Sequence, residues 1–365
     1  MKKALLLPRK FIMGRGVISE TGAYAAMLGK RAVVTWGTKT KAAVGEAVLK
    51  SLADAGIEYK DVHFNGECTK AEARRISGEA KGCGVVIGLG GGKALDCAKA
   101  AAIYEGLPHI IIPTVASNDS PTSACTVWYD DEHVCTGFDL WTVNPDYIIV
   151  DTEVIANAPL RLFAAGIGDA ASTWFEAEAS YASRAVTCSG GVPTLTVMAM
   201  AKLCHEVLME YGLAAIEAVK VHAVTPAVEK VTEATTLLSG IGWESGGLTT
   251  AHQMANALPA FHETHGLLHG EKVSFGLMTQ LCLDDSLETG LIERTAAFLA
   301  KAGLPVTLAD INIDKAPDAK LREFADGLVC EGSFVHNHNF RAEGGDVYDA
   351  IKAADALGKR IKASL

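Results

Sequence analysis

Several features are missing from the 365-residue chain, and each absence narrows what it can be. No uninterrupted apolar run approaches the roughly 20 residues that a membrane-spanning helix needs, although 49% of the residues are hydrophobic. The apolar stretch Ala4 to Leu7 is cut off by Pro8, Arg9 and Lys10, too short for the core of a secretory signal, so a cytoplasmic protein is expected. The nine cysteines form an odd set with no pair at C-x-x-C spacing, which argues for reduced thiols, several of them small core residues, rather than a disulfide framework. A basic block is also missing, and a formal net charge of −10 makes a nucleic-acid backbone an unsuitable partner. Flexible linkers, low-complexity tracts and internal repeats are absent. The partner expected is a small molecule.

The length exceeds what one core usually fills, so two domains are expected. Up to about residue 160, short β-branched runs (Val33-Val34-Thr35, Val85-Val86-Ile87, Ile110-Ile111-Ile112, Tyr147-Ile148-Ile149-Val150) alternate with amphipathic stretches such as 41–55 and 69–81. This is the βαβ rhythm of a parallel sheet. Beyond Pro159 the stretches 166–182, 193–211, 226–257, 271–302 and 345–363 are rich in Ala, Leu, Glu and Met, a helical composition. The expected architecture is an α/β domain over residues 1–160 and an all-helical domain over 161–365. A tight interface between them would place a small-molecule cleft there.

The stretch VVIGLGGGKALDCAKA, residues 85–100, runs from a buried strand into glycines and then a helix. Gly88, Gly90, Gly91 and Gly92 let backbone N–H groups approach a phosphate, the helix start adds its positive dipole end, and Lys93 adds a charge. The pattern lacks the sixth-position glycine of the dinucleotide fingerprint, and Ala94 after Lys93 rules out a G-K-[ST] loop. A bare tight turn is the competing reading. A second strand ends in Thr114, Ser117, Asn118, Asp119, Ser120, Thr122 and Ser123, polar groups of the kind that line the carboxyl edge of a parallel sheet, where ligands bind.

Residues 251–276 carry four histidines, His252, His262, His265 and His269. A catalytic zinc takes three protein ligands and leaves a position for water or substrate. H-E-T-H at 262–265 is one residue short of the HExxH of zinc proteases. The histidines alone do not supply a full ligand set, and each is individually more often a satisfied structural residue. Asp169 in GIGDAASTWFEA opens a helix and is a further candidate, with an N-cap as its alternative role.

The ordered segments GLGGGKALDCAK, IPTVASNDSPTSA, AAGIGDAASTWFEA, SGIGWESGGLTTAH and HGEKVSFG resemble the zinc-dependent glycerol dehydrogenases of the iron-containing alcohol dehydrogenase superfamily, from about residue 5 to the C-terminus. The resemblance implies a dehydroquinate synthase-like architecture with a dinucleotide-binding sheet. It implies that Asp169, His252 and His269 bind zinc, with His262 and His265 as neighbours only. Where iron members resemble one another in a further histidine four residues after the aspartate, this chain has Thr173.

By the same resemblance Gly90, Gly91, Gly92, Lys93 and Asp96 hold the pyrophosphate of NAD. Thr114, Ser117, Ser123, Cys125 and Tyr129 line the adenosine and nicotinamide sites, and Asp119 binds a substrate hydroxyl. Two departures stand out. Gly37 occupies the place of the aspartate that takes the adenosine ribose hydroxyls, with Lys39 and Lys41 following, which leaves NADP open. The run HNHN with His336 and His338 replaces a single His-Asn.

The implied activity is reversible, zinc-assisted oxidation of glycerol or a related vicinal diol to dihydroxyacetone or its analogue, by a homo-oligomer. Other polyol or hydroxyketone oxidoreductases of the superfamily are alternatives. A dehydroquinate synthase-like lyase would need a Lys/Arg cluster for substrate charge, and only Lys272 lies near the histidine motif. A glycerol-1-phosphate dehydrogenase meets the same difficulty, and a sensor that binds NAD and metal without turnover is the non-enzymatic alternative.

Overall fold

Residues 1–130, 132 and 134–365 are described by a computed structural model. They form two compact units: Leu6–Phe163 with Ala218–Gly240, and Met1–Leu5 with Ala164–Glu217 and Ile241–Leu365. The main passage from the sheet unit to the helical unit falls at Phe163/Ala164, close to the compositional boundary. The chain then returns, because residues 218–240 join the sheet unit and residues 1–5 join the helical one. Composition gives no sign of this, since 218–240 is as helical as its flanks.

The sheet unit contains strands β1 (Lys10–Gly14), β2 (Arg31–Trp36), β3 (Glu58–His63), β4 (Val85–Gly90), β5 (His109–Pro113), β6 (Cys125–Tyr129), β7 (Cys135–Leu140) and β8 (Tyr147–Asp151). Six of them form a parallel sheet in the order β1-β8-β5-β4-β2-β3. Helices α1 (Thr21–Ala26), α2 (Thr38–Asp54), α3 (Lys70–Ala80) and α4 (Gly92–Tyr104) connect successive strands from β1 to β5, and α5 (Thr152–Ala156) follows β8. Val33, Val86 and Ile111 pack on one face with α3 and α4, while Val34, Ile87, Ile110 and Ile112 pack on the other with α1 and α2. Helices therefore cover both faces, and the inner strands read as continuous apolar runs.

The edge strand β3 and a separate two-stranded ribbon are not evident from the sequence. β3 is Glu-Tyr-Lys-Asp-Val-His and buries only Val62, so it carries no apolar run. β6 and β7 form a separate antiparallel ribbon after the polar strand end of β5.

Helix α6 (Leu160–Ala170) leads into the helical unit, followed by α7 (Thr173–Ser183) and α8 (Leu195–Lys220). α9 (Pro226–Glu233), a π-helical turn at Ala234–Leu238 and α10 (Ser239–Gly246) follow without a break. Thr225 caps α9 by accepting from the Val228 N–H, with Pro226 at the first helical position, where a missing N–H costs nothing. The remaining helices are α11 (Thr250–Ala257), α12 (His269–Leu283), α13 (Thr289–Lys301), α14 (Asp318–Leu328) and α15 (Gly344–Ala363). Among the described residues, no helix is long and apolar enough to cross a membrane. The nine cysteines are free thiols, with Cys68, Cys83, Cys97, Cys125 and Cys204 buried.

Candidate metal centre and dinucleotide site

In the helical unit, α6 and α12 cross so closely that a side chain on Gly270 would place its Cβ 1.8 Å from the Ala165 carbonyl oxygen. Gly168 lies at the same crossing, where its Cβ would stand 2.5 Å from the Gly270 oxygen. Only glycine admits this approach, and it brings Asp169, next to Gly168, against His269, next to Gly270. The glycines of GIGD and HGEK thus set the geometry of the acids and imidazoles beside them.

Asp169, His252 and His269 converge, with one ligand atom from each lying within 4.8 Å of the others. The Asp169 Oδ1 atom stands 3.4 Å from the Nε2 atoms of both His252 and His269. That is long for a hydrogen bond and compatible with the spacing of ligand atoms around a four-coordinate metal, which at about 2.0–2.2 Å from the ion lie roughly 3.3–3.6 Å apart. The Asp169 side chain is 1% exposed and that of His269 38% exposed, so the cluster is open on one side. A mixed N and O donor set of this spacing fits a metal with room for substrate.

Glu176 on α7, fully buried, completes the centre. Its Oε2 lies 2.5 Å from His252 Nδ1 and accepts from the Ser172 hydroxyl at 2.9 Å. Its Oε1 accepts from the backbone N–H groups of Thr249 at 2.8 Å and His252 at 3.1 Å. Facing a carboxylate, Nδ1 donates to Glu176, which leaves Nε2, on the Asp169 side, as the atom that a metal would take. This arrangement orients a ligating imidazole.

The electrostatics follow from burial and these partners. Burial would raise the Glu176 carboxyl, but the His252 imidazole and the backbone donors hold it below the ordinary glutamate value. Burial would likewise lower His252, yet Glu176 and Asp169 hold it well above the usual histidine range. Desolvation pushes His269 down to about 4 against the opposing pull of Asp169, so that ring is neutral near pH 7, the form that ligates.

His262 and His265 stack on each other at 4.8 Å, exposed on a 3₁₀ turn, with His265 Nε2 at 2.9 Å from the Pro259 oxygen. Thr173 is buried at the start of α7. His338 is buried, stacked on Phe340, with Nε2 2.9 Å from the Thr250 hydroxyl beside His252. His336 is exposed, near the Cys330 oxygen.

In the sheet unit, Gly90 ends β4 at φ +146°, a conformation an L side chain rarely adopts. The chain there turns into α4, whose first N–H groups lack helical partners and form an anion-binding end. Gly90, Gly91, Gly92 and Lys93 line a cavity of about 480 Å³ together with residues at the ends of β2 and β3. Lys93 Nζ is held by Glu67 Oε2 at 2.6 Å and sits 4.2 Å over the Tyr129 ring.

Asp96, by contrast, is buried and is not among the residues that line the cavity. Its carboxylate pairs with Lys99 at 2.8 Å and accepts from the Ser120 hydroxyl at 2.5 Å and the Val127 N–H at 2.9 Å. Lys99, 1% exposed, also donates to the backbone oxygens of Ser120 and Ser123 and to the Ser123 hydroxyl. The pair pins the 120–127 segment to α4, so Asp96 and Ser123 act in the structure as anchors of the loop. Thr114 donates its N–H to the Gly90 oxygen, Ser117 is half-buried and Cys125 is buried on β6. Asp119 is 7% exposed, and its Oδ2 accepts from the Ser239 hydroxyl at 2.8 Å. Ser239 directly follows the π-helical turn, a local rewinding often found at functional sites.

Two side chains central to this arrangement, Glu176 and Lys99, were not singled out from sequence. Each sits inside a motif that was, seven residues after Asp169 and three after Asp96.

Residues 8–152 match the family model described as iron-containing alcohol dehydrogenase. A glycerol dehydrogenase of Escherichia coli is 43% identical over 99% of this chain and 99% of its own. The chain belongs to the iron-containing alcohol dehydrogenase family, and it is an oxidoreductase. A glycolaldehyde reductase of Halobacterium salinarum is 40% identical, with 97% of this chain and 98% of the relative covered. The crystal structure of a glycerol dehydrogenase from Schizosaccharomyces pombe superposes with a TM-score of 0.95 at 33% identity, covering 100% of this chain and 93% of that one.

Proposed function

We propose that the protein is a polyol dehydrogenase that oxidises glycerol and related vicinal diols reversibly, glycerol to dihydroxyacetone, with NAD as hydride acceptor and zinc as metal. The observation that carries this reading is the convergence of Asp169, His252 and His269 within 4.8 Å. Relatives named glycerol dehydrogenase, 39–43% identical over 99% of the chain, support the substrate class.

A metal bound there supplies Lewis-acid polarisation of a substrate oxygen, and the dinucleotide supplies the hydride acceptor. Asp169, His252 and His269 would hold the metal, and the partly exposed His269 would leave room for substrate beside it. Glu176 keeps the His252 proton on Nδ1. Asp119 accepts a hydrogen bond from a substrate hydroxyl, steadied by Ser239 and by the Lys99 anchor under its loop. Gly90, Gly91 and Gly92 with the α4 start receive the pyrophosphate without intervening side chains.

The test is nicotinamide reduction with glycerol, 1,2-propanediol and ethanol, before and after chelation and after zinc return. Zinc-dependent turnover that prefers the diols is expected. Folded, zinc-loaded protein that reduces the cofactor with none of the three would overturn the reading.

A further inference from the structure

The cavity beside the glycine loop has a second end, formed by Gly37, Thr38, Lys39 and Thr40 at the start of α2 and by His63, Phe64, Asn65 and Gly66 after β3. In doubly wound sheets, the strand next to the one carrying the glycine loop offers its end to the adenosine ribose. An acidic residue there binds the ribose hydroxyls, whereas a cation accommodates a 2′-phosphate. The loop strand here is β4, and its neighbour on this side is β2. None of the residues lining the cavity is acidic.

Three carboxylates stand near this end, and each already holds a cation. Asp61 on β3 accepts from Trp36 Nε1 at 2.8 Å and from Lys41 Nζ. Glu67 holds Lys93. Glu72 holds Arg75 at 2.7 Å and the Asn65 backbone N–H. Lys39 makes no ion pair among the described residues, so the lining carries one uncompensated ammonium. Around it stand the Thr38 and Thr40 hydroxyls and the first N–H groups of the 17-residue helix α2, which lack helical partners.

We propose that this end of the cavity accepts the 2′-phosphate of an adenosine ribose, with Lys39 as the specificity-determining residue, so that the protein takes NADP as well as NAD. The proposal rests on the dinucleotide-dependent reading above and concerns only the adenosine end. A phosphate monoester there gains a charge-assisted bond from Lys39 and meets no uncompensated acid.

The test is calorimetric titration of the full chain with ADP-ribose and with its 2′-phosphorylated form, which requires neither turnover nor metal. Wild type is expected to bind the two within roughly tenfold of each other, and Lys39→Ala to weaken the phosphorylated probe roughly tenfold more than the plain one. Gly37→Asp restores an acid at the ribose. At Gly37 the backbone is φ −82°, ψ 167°, an added Cβ meets nothing within 4 Å, and aspartate is a favoured N-cap, so the variant should fold. It should discriminate against the phosphorylated probe. Wild type that binds ADP-ribose but excludes the phosphorylated form, or a Lys39→Ala change that weakens both equally, would overturn the proposal. Failure of both probes to bind would overturn the dinucleotide reading and this one with it.

Discussion

Replacing Glu176 by glutamine tests the metal centre without touching a proposed ligand. The change keeps shape and volume at a site with no exposed surface. The amide oxygen can still accept from the Thr249 and His252 N–H groups, as Oε1 does now. The amide nitrogen then faces His252 Nδ1 and the Ser172 hydroxyl, both at present on Oε2. The hydroxyl can rotate to accept. The imidazole can accept only by moving its proton to Nε2, the atom that lies 3.4 Å from Asp169 and would bind the metal. Ligation therefore competes with the best hydrogen bond of the ring. Loss of such an orienting partner typically weakens metal binding about 10- to 100-fold, or about 1.4 to 2.7 kcal/mol. Zinc affinity measured by competition with a chromophoric chelator, on wild type and Glu176→Gln of matched circular dichroism, reads this directly. A folded variant whose affinity stays within roughly twofold of wild type would refute the account of Glu176.

Further consequences concern stability and loop position. His109 is 2% exposed at the start of β5, and burial pushes its imidazole from 6.5 down to about 4. Its contribution is therefore full above pH 6.5 and lost as pH falls toward 4, by about 3 kcal/mol, and thermal melts of His109→Asn should show a flatter dependence across that window. Gly270→Ala drives a methyl group into the Ala165 carbonyl. It should lower stability by about 1–3 kcal/mol and weaken zinc binding, both measurable in one denaturation series with and without metal. Lys99→Met leaves the Asp96 charge buried without its cation and should cost about 3–5 kcal/mol. In the surviving folded protein, KM for glycerol should rise, because the segment that loses its anchor directly follows Asp119.

The sheet unit was legible where physics writes strongly in sequence. Val33-Val34, Val85-Val86-Ile87 and Ile110-Ile111-Ile112 are buried on both faces, so each shows as an unbroken β-branched run. β3 carries four polar residues in six on a sheet edge and shows nothing comparable. Glycines were legible as a loop at 88–92, but the role of Gly168 and Gly270 as a helix crossing was not, since close approach depends on which helices meet. The acids divided the same way. Asp169, expected to open a helix, lies instead in the last turn of α6, because the helix begins earlier at Leu160; Glu176 inside an alanine-rich helix looks like an ordinary solvated residue until tertiary packing buries it completely. Asp96, carried to the pyrophosphate by resemblance, lies in a buried pair with Lys99 that no spacing rule reveals. The histidines at 262 and 265 had the composition of a site, and the fold leaves them paired at the surface.

The most direct test of the account is the zinc stoichiometry of dialysed wild type, Asp169→Asn and His252→Ala, measured alongside glycerol-dependent cofactor reduction in the same samples. The account predicts one tightly held zinc per wild-type chain, its loss from both variants, and turnover that falls in step with metal content. Full zinc occupancy in folded variants, or undiminished turnover in metal-free protein, would contradict it.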